Sequence, residues 1–271
     1  MKDPLQYEGQ RVLVTGAASG MGAATASILV DLGAEVHGLD IQEGANELES
    51  FQIADLSQPD QIDAAVEALD GRFDGLFCCA GLSTTAPPVK TILVNFAGHR
   101  HLAEAVIPLL TDGAGVAFIS SVAGMGWIAN AANILALVTT PGFAGAEKWC
   151  ADNAELIGEN GYGTSKEAIN AYVALRGFQL ADQGVRMNSL NPGPTDTPMM
   201  PEFIESQGQD YFDAFPKPIG RNSRADEQAW ALVMLNSRRS SYITATTVFA
   251  DGGFTGGLFT GGIDPALLMP E

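Results

Sequence analysis

Short apolar runs alternate with longer stretches of helical periodicity along this chain. The runs at 11–14, 34–39, 51–56, 75–80, 116–121, 185–190 and 247–250 are apolar or β-branched with little polar alternation. Strands covered on both faces have that pattern, because neither face meets water. Between them, apolar residues recur at helical spacing near 23–32, 59–69, 91–110, 162–181 and 225–236. Strand and helix in turn predict an α/β fold, a doubly wound parallel sheet with helices on both faces. The segment 41–50 is short and polar, so the second crossover is expected to carry little or no helix. No repeat, low-complexity tract or linker divides the chain, and 1–271 reads as a single domain.

The first strand, Arg11-Val12-Leu13-Val14, runs into Thr15-Gly16-Ala17-Ala18-Ser19-Gly20-Met21-Gly22, and a helical pattern follows as far as Gly33. Strand, glycine loop and helix in that order let backbone N–H groups and a helix N-terminus face a pyrophosphate, as in Rossmann-type dinucleotide folds. The glycines fall at 16, 20 and 22, in place of the commoner Gly-x-Gly-x-x-Gly. Gly16, Ser19, Gly20 and Met21 are the loop residues expected at a cofactor. A glycine loop by itself also suits a plain strand-to-helix turn; what separates the two readings is Asp40, at the end of the second strand, with Ile41 after it. A carboxylate there accepts from a ribose 2′-hydroxyl and repels a 2′-phosphate. No Arg or Lys stands in the loop or within several residues after Asp40, so NAD(H) is the expected cofactor.

Charge and cysteine usage narrow the picture further. The 32 acids against 14 bases give a net charge of −18, which argues against nucleic acid and anionic membrane surfaces as partners. A dinucleotide is also an anion, so its site has to be made favourable locally, by helix N-termini and Lys166. With 46% hydrophobic residues in 271, the chain can bury a full core. Cys78, Cys79 and Cys150 make neither a disulfide framework nor a metal-ligand spacing, and they fit a reducing compartment. The adjacent pair reads as small core residues rather than a redox couple, and no metal is expected. Met1-Lys2-Asp3-Pro4 opens no signal peptide and no apolar stretch is long enough to span a bilayer, so a cytoplasmic protein is expected.

Candidate chemistry lies at Tyr162-Gly163-Thr164-Ser165-Lys166. Tyr162 and Lys166, at i and i+4, project from one helix face. An ammonium there favours tyrosinate and brings the phenol down from about 10 towards working pH. Ser120-Ser121 stands upstream, at the end of an apolar strand. Together these suggest proton transfer for alcohol and carbonyl chemistry, although Tyr-x-x-x-Lys alone is a common spacing.

Thr15-Gly16-x-x-x-Gly20-x-Gly22, Asp55, Cys79-Ala80-Gly81, Asn95, Ser121, Tyr162-x-x-x-Lys166, Asn191-Pro192-Gly193 and Asp251-Gly252-Gly253 follow one another over nearly the whole chain. In this the chain resembles the short-chain dehydrogenase/reductase family, and most of all its 3α-hydroxysteroid dehydrogenase/carbonyl reductase branch, which also separates serine and tyrosine by a long insertion. The resemblance implies that Tyr162 exchanges a proton with the substrate oxygen and that Ser121 holds that oxygen. It gives Lys166 the nicotinamide ribose, and Asn95 a water that connects Lys166 to solvent. Asp55 and Leu56 would meet the adenine, Cys79, Ala80 and Gly81 the adenosine ribose, and Pro192, Gly193, Thr195 and Thr197 the nicotinamide side. One departure stands out: Cys78-Cys79-Ala80-Gly81 replaces the family's Asn-Asn-Ala-Gly, so the usual strand-tying Asn is missing. Taken singly, Asn95 could be an ordinary helix residue, and Ser121, like Ser120, could satisfy backbone. Asp251 reads as a turn residue.

The stretch of about 124–161 is an insertion between Ser121 and Tyr162, with Trp127, an apolar run at 134–138 and a helix-like part at 147–157. It is expected to wall the substrate site or to cover a subunit interface. A covering segment at about 197–218 carries Met199, Met200, Phe203, Phe212 and Phe215, and the tail at 254–269 is a third candidate. Apolar covers suit a hydrophobic alcohol or ketone of steroid, terpenoid or aryl type. The resemblance implies a homodimer or homotetramer. A non-catalytic NAD-binding redox sensor and a sugar-nucleotide epimerase or dehydratase are the alternatives. The first fits poorly with four filled catalytic positions, the second with the lack of a carboxy-terminal substrate domain.

Overall fold

A computed structural model describes residues 3–45 and 47–265. The chain runs through β1 (Arg11–Thr15), α1 (Gly20–Asp31), β2 (Glu35–Asp40), β3 (Ser50–Ile53), α2 (Pro59–Glu67) and β4 (Phe73–Cys78). A continuous helical stretch follows: α3 (Pro88–Ile92), a π-helical segment at Leu93–Gly98, and α4 (His99–Val106). After β5 (Leu110–Ile119) come α5 (Ala131–Val138), α6 (Gly142–Asp152), α7 (Ala154–Ile157) and the long α8 (Gly161–Leu180). The remainder is β6 (Arg186–Pro192), β7 (Thr195–Asp196), α9 (Met200–Gln207), α10 (Gln209–Ala214), β8 (Ser223–Arg224), α11 (Ala225–Asn236), β9 (Thr246–Ala250) and α12 (Phe254–Phe259).

Seven of the strands make one sheet in the order β3-β2-β1-β4-β5-β6-β9, with every pairing parallel. The expected doubly wound architecture is therefore present. The sequence of connections changes direction between β1 and β4, and a crevice opens beyond the carboxyl ends of strands at such a point. Two apolar clusters cover the sheet: Leu13, Leu76, Phe118 and Val173 belong to one, Val14, Phe77, Leu232 and Val233 to the other. Alternate residues of β1 thus enter opposite cores, which is why that strand is apolar throughout. The described residues between Asp40 and Ser50 form no helix, as the polar crossover predicts.

Several elements differ from their expected extent: β5 starts at Leu110 and not at 116, and two further differences bear on the site. The run at 51–56 stops being a strand at Ile53, and Ala54, Asp55 and Leu56 line a cavity instead. The helix expected at 91–110 begins at Pro88 and changes winding at Leu93–Gly98. Close packing accompanies the change: a Cβ on Gly98 would stand 2.0 Å from the Leu56 carbonyl oxygen.

The insertion lies on the helical layer of α3, α4 and α8, and among its residues only Asn160 lines the cavity beside Tyr162. The buried Arg100 of α4 fastens it, donating to the carbonyls of Val138 (2.9 Å), Thr140 (3.0 Å) and Gly142. Of the tail, Phe254 is buried against Phe215 with ring centroids 4.7 Å apart; residues 266–269 lie outside the described residues.

Candidate active site

Gly16 and Gly20 have φ of +69° and +55°, the left-handed region that only glycine enters without strain. A Cβ on Gly16 would meet the Ala80 nitrogen at 2.7 Å, and one on Gly22 the Gly16 carbonyl oxygen at 2.1 Å. The loop can therefore follow this path only with glycine at these positions. It floors a cavity of about 360 Å³. Gly16, Ser19, Gly20, Met21, Asp40, Ile41, Asp55, Leu56, Cys79, Ala80, Gly81 and Thr197 all line it, so every residue assigned to the adenosine and pyrophosphate side stands on one wall. Lys90, from α3, is the one basic side chain there; it is distant in sequence from the loop and from Asp40, so spacing gave no sign of it. Backbone cradle, carboxylate and shape fit a dinucleotide.

A second cavity of about 240 Å³ adjoins the first, sharing Met21, Cys79, Ala80, Gly81, Leu82 and Thr197 with it. Ser121, Tyr162, Lys166, Pro192, Gly193 and Thr195 line it. Both serines border the cavity, but the buried Ser120 spends its hydroxyl on the Lys166 carbonyl at 2.9 Å. Ser121 Oγ also accepts from Ala123 N at 3.1 Å. Lys166 Nζ lies 5.5 Å from the Tyr162 ring centroid and donates to the Ile119 carbonyl at 3.0 Å. Burial lowers the Lys166 ammonium to about 8. Burial also pushes the Tyr162 phenol above its usual value, and the hydrogen bond with Ser121 pulls it back.

Asn95 is fully buried and lines neither cavity. Its Oδ1 accepts from Leu82 N at 2.7 Å, and its Nδ2 donates to the Leu82 carbonyl at 3.0 Å and to Ser165 Oγ at 3.2 Å. The side chain is thus engaged in fixing the segment that passes between the two cavities. His99, one turn on, was not singled out in the sequence. It is buried, with burial lowering its pKa to about 4. Neutral imidazole has one donor and one acceptor: Nδ1–H donates to the Asn95 carbonyl at 3.2 Å, and Nε2 accepts from Thr15 Oγ1 at 2.9 Å. Thr15 Oγ1 in turn accepts from the backbone nitrogens of Cys79 (2.9 Å) and Ala80 (3.2 Å). Thr15 and His99 therefore tie β1, the end of β4 and the π-helical segment together at the place where the missing Asn left a question. Cys78 is buried there and all three cysteines are free. Asp251 has the turn role expected of it, accepting from Gly253 N and Thr255 N, each at 2.9 Å.

Known proteins share both the sequence and the fold. Residues 10–133 match the family described as short chain dehydrogenase, and residues 150–255 the one described as enoyl-(acyl carrier protein) reductase. The coniferyl-alcohol dehydrogenase of Pseudomonas sp. (strain HR199 / DSM 7063) is 34% identical over 250 residues, 92% of this chain and 98% of that protein. The chain belongs to the short-chain dehydrogenase/reductase family. Its relatives in that family include the 3-alpha-hydroxysteroid dehydrogenase/carbonyl reductase of Comamonas testosteroni, 31% identical over 89% of this chain and 95% of that one. The crystal structure of the 3-alpha-hydroxysteroid dehydrogenase from Pseudomonas sp. B-0831 complexed with NADH superposes with a TM-score of 0.79 at 28% identity, covering 94% of this chain and all of that one. As a short-chain dehydrogenase/reductase the protein is an oxidoreductase of Rossmann-type fold.

Proposed function

We propose that the protein is an NAD(H)-dependent oxidoreductase interconverting a secondary alcohol and a ketone on a hydrophobic substrate by a Ser-Tyr-Lys mechanism. The observation that carries this reading is a cavity lined by Ser121, Tyr162 and Lys166 that adjoins the cavity lined by the glycine loop and Asp40 and shares Cys79, Ala80, Gly81 and Thr197 with it. Bound there, the nicotinamide ring supplies the hydride acceptor or donor. The chain's own groups do the rest. Ser121 Oγ holds the substrate oxygen where charge develops. Tyr162 takes the hydroxyl proton as an alcohol is oxidised and returns it when a ketone is reduced. Lys166 binds the ribose and keeps a positive charge beneath Tyr162 at pH values below about 8, which offsets the cost of tyrosinate in an enclosed site. Asn95, whose side chain fixes Leu82 and Ser165 from behind the cavities, has the water of a proton path as the role that the family resemblance implies. Thr195 and Thr197 meet the carboxamide side, and Asp40 the adenosine ribose.

The names of the relatives support alcohol chemistry, since one is a coniferyl-alcohol and another a hydroxysteroid dehydrogenase. The redox-sensor reading has no observation in its favour, and the 240 Å³ cavity has Lys166 as its one charged lining residue, which disfavours a sugar nucleotide. The test is nicotinamide absorbance with NAD and a panel of hydrophobic alcohols, repeated on Tyr162→Phe. The variant is expected to lose turnover by at least about 100-fold, the contribution of a positioned acid/base, while its NAD affinity by calorimetry stays unchanged. Full activity in Tyr162→Phe removes the proposed role.

A further inference from the structure

The dimensions and fastening of the second cavity bear on which hydrophobic substrate it takes, a question that rests on the oxidoreductase reading above. Its volume is about 240 Å³. An apolar cavity of about 150 Å³ accommodates a single benzene ring. Lys166, Pro192, Gly193 and Thr195 line this cavity, so a nicotinamide ring has to share it with the substrate. A nicotinamide and one six-membered ring fill that space, so a four-ring skeleton would have to extend beyond it through the open side.

The roof does not offer spare height. Glu202 of α9 accepts from Ser83 Oγ and from Thr85 Oγ1 (3.4 Å), and Ser206 pairs with Thr84. These contacts hold α9 on the segment after β4, across the mouth. At the other end, the Lys217 ammonium donates to the Phe212 carbonyl and Phe215 stacks on the buried Phe254. Phe203 meets the Tyr162 ring edge-on, with centroids 5.1 Å apart at 77°, and Phe212 stands 6.5 Å from Phe203. Aromatic edges and faces in this disposition receive a flat ring better than a puckered one. Thr84, Asn160 and Gln207 supply uncharged polar groups on the same lining.

We infer that the substrate is an uncharged aryl carbinol with a single ring, or its carbonyl counterpart, selected by Phe203 and Phe212. In the oxidising direction the carbinol carbon gives a hydride to NAD and the hydroxyl gives its proton to Tyr162, leaving the carbonyl compound and NADH. Polar ring substituents face Thr84, Asn160 and Gln207.

Initial rates with NAD and 1-phenylethanol, coniferyl alcohol and androsterone test this. The best aryl alcohol is expected to exceed the steroid in kcat/KM by at least about 100-fold, a discrimination that overpacking of a filled site can supply. Phe212→Ala enlarges the space, and the ratio is expected to fall by about tenfold through a gain on the steroid. Phe212→Leu, which keeps an apolar side chain in the roof, should move the ratio the same way by less, so that a folding defect in the alanine variant does not decide the matter. A steroid turned over within about tenfold of the best aryl alcohol overturns the inference and leaves the oxidoreductase reading intact. Absence of turnover with all three overturns that reading and the inference with it.

Discussion

Asp40 engages both its carboxylate oxygens with backbone: Oδ2 accepts from Ala18 N at 3.0 Å, and Oδ1 from Ile41 N at 2.7 Å. The carboxylate is thus oriented on the wall of the larger cavity, with acceptor capacity left on each oxygen. Replacing it by alanine removes an acceptor for a ribose hydroxyl and the repulsion of a 2′-phosphate, with Lys90 on the same wall. In Asp40→Ala the NAD-over-NADP ratio of kcat/KM is therefore expected to fall by about 10- to 100-fold, the value of a hydrogen bond to a charged group. Initial rates with the two cofactors measure it, and an unchanged ratio rules out the ribose contact. Asp40 was readable from sequence because a strand end fixes where its side chain goes. Lys90 was not, since nothing in its local pattern says which cavity α3 borders.

Between elements, the Thr15–His99–Asn95 chain links segments around the position where the family's asparagine is missing. It joins the end of β1 to the π-helical segment, and through Cys79 and Ala80 to the end of β4. Its imidazole is neutral: burial lowers the pKa to about 4, the Asn95 carbonyl raises it, and the Lys166 charge lowers it further. In the unfolded chain a histidine titrates near 6.5. Between these values the unfolded state binds the extra proton, so this contribution to stability is complete above about pH 6.5 and is lost as pH falls towards 4. The loss amounts to roughly 3 kcal/mol at about 1.4 kcal/mol per pH unit. Denaturant unfolding at pH 7.5 and 4.5 should show the wild type losing about that much more than His99→Asn. Equal losses would mean that His99 is not held neutral. No sequence pattern announced this chain, because His99 looks like any polar residue of a helix until the π-helical winding turns it towards Thr15.

At the scale of the molecule, the sheet ends in β9, an edge strand with Val248 and Phe249 half-exposed, and Phe178 on α8, which packs against β9, and Trp230 and Met234 on α11 are exposed as well. An exposed apolar edge is a template for pairing, and apolar patches of this kind mark contact surfaces. Assembly into a homodimer or homotetramer with this edge in an interface is the proposal, and light scattering after gel filtration should give two or four times the 28.4 kDa chain mass. Trp230→Glu, which puts a charge into the patch, should shift the protein towards the monomer; a wild type that runs as a monomer at micromolar concentration ends the proposal. The layered α/β architecture was legible in the chain alone, and so were most of the residues that the fold gathers along the two adjoining cavities. Apolar runs report strands buried on both faces, glycines at 16, 20 and 22 report a backbone path closed to side chains, and residues at i and i+4 share a helix face; each is a local constraint that sequence spacing records. The course of the insertion was not. Its apolar residues state only that they must be covered; in the fold the buried guanidinium of Arg100 reaches the carbonyls at the end of α5 and after it, and the insertion packs on the helical layer with only Asn160 on the cavity beside Tyr162. The Lys166 hydrogen bond to Ile119, the withdrawal of Asn95 from the cavity wall and the size of the space beneath Phe203 and Phe212 likewise depend on groups far apart in the chain, so only their meeting in the folded structure decided them.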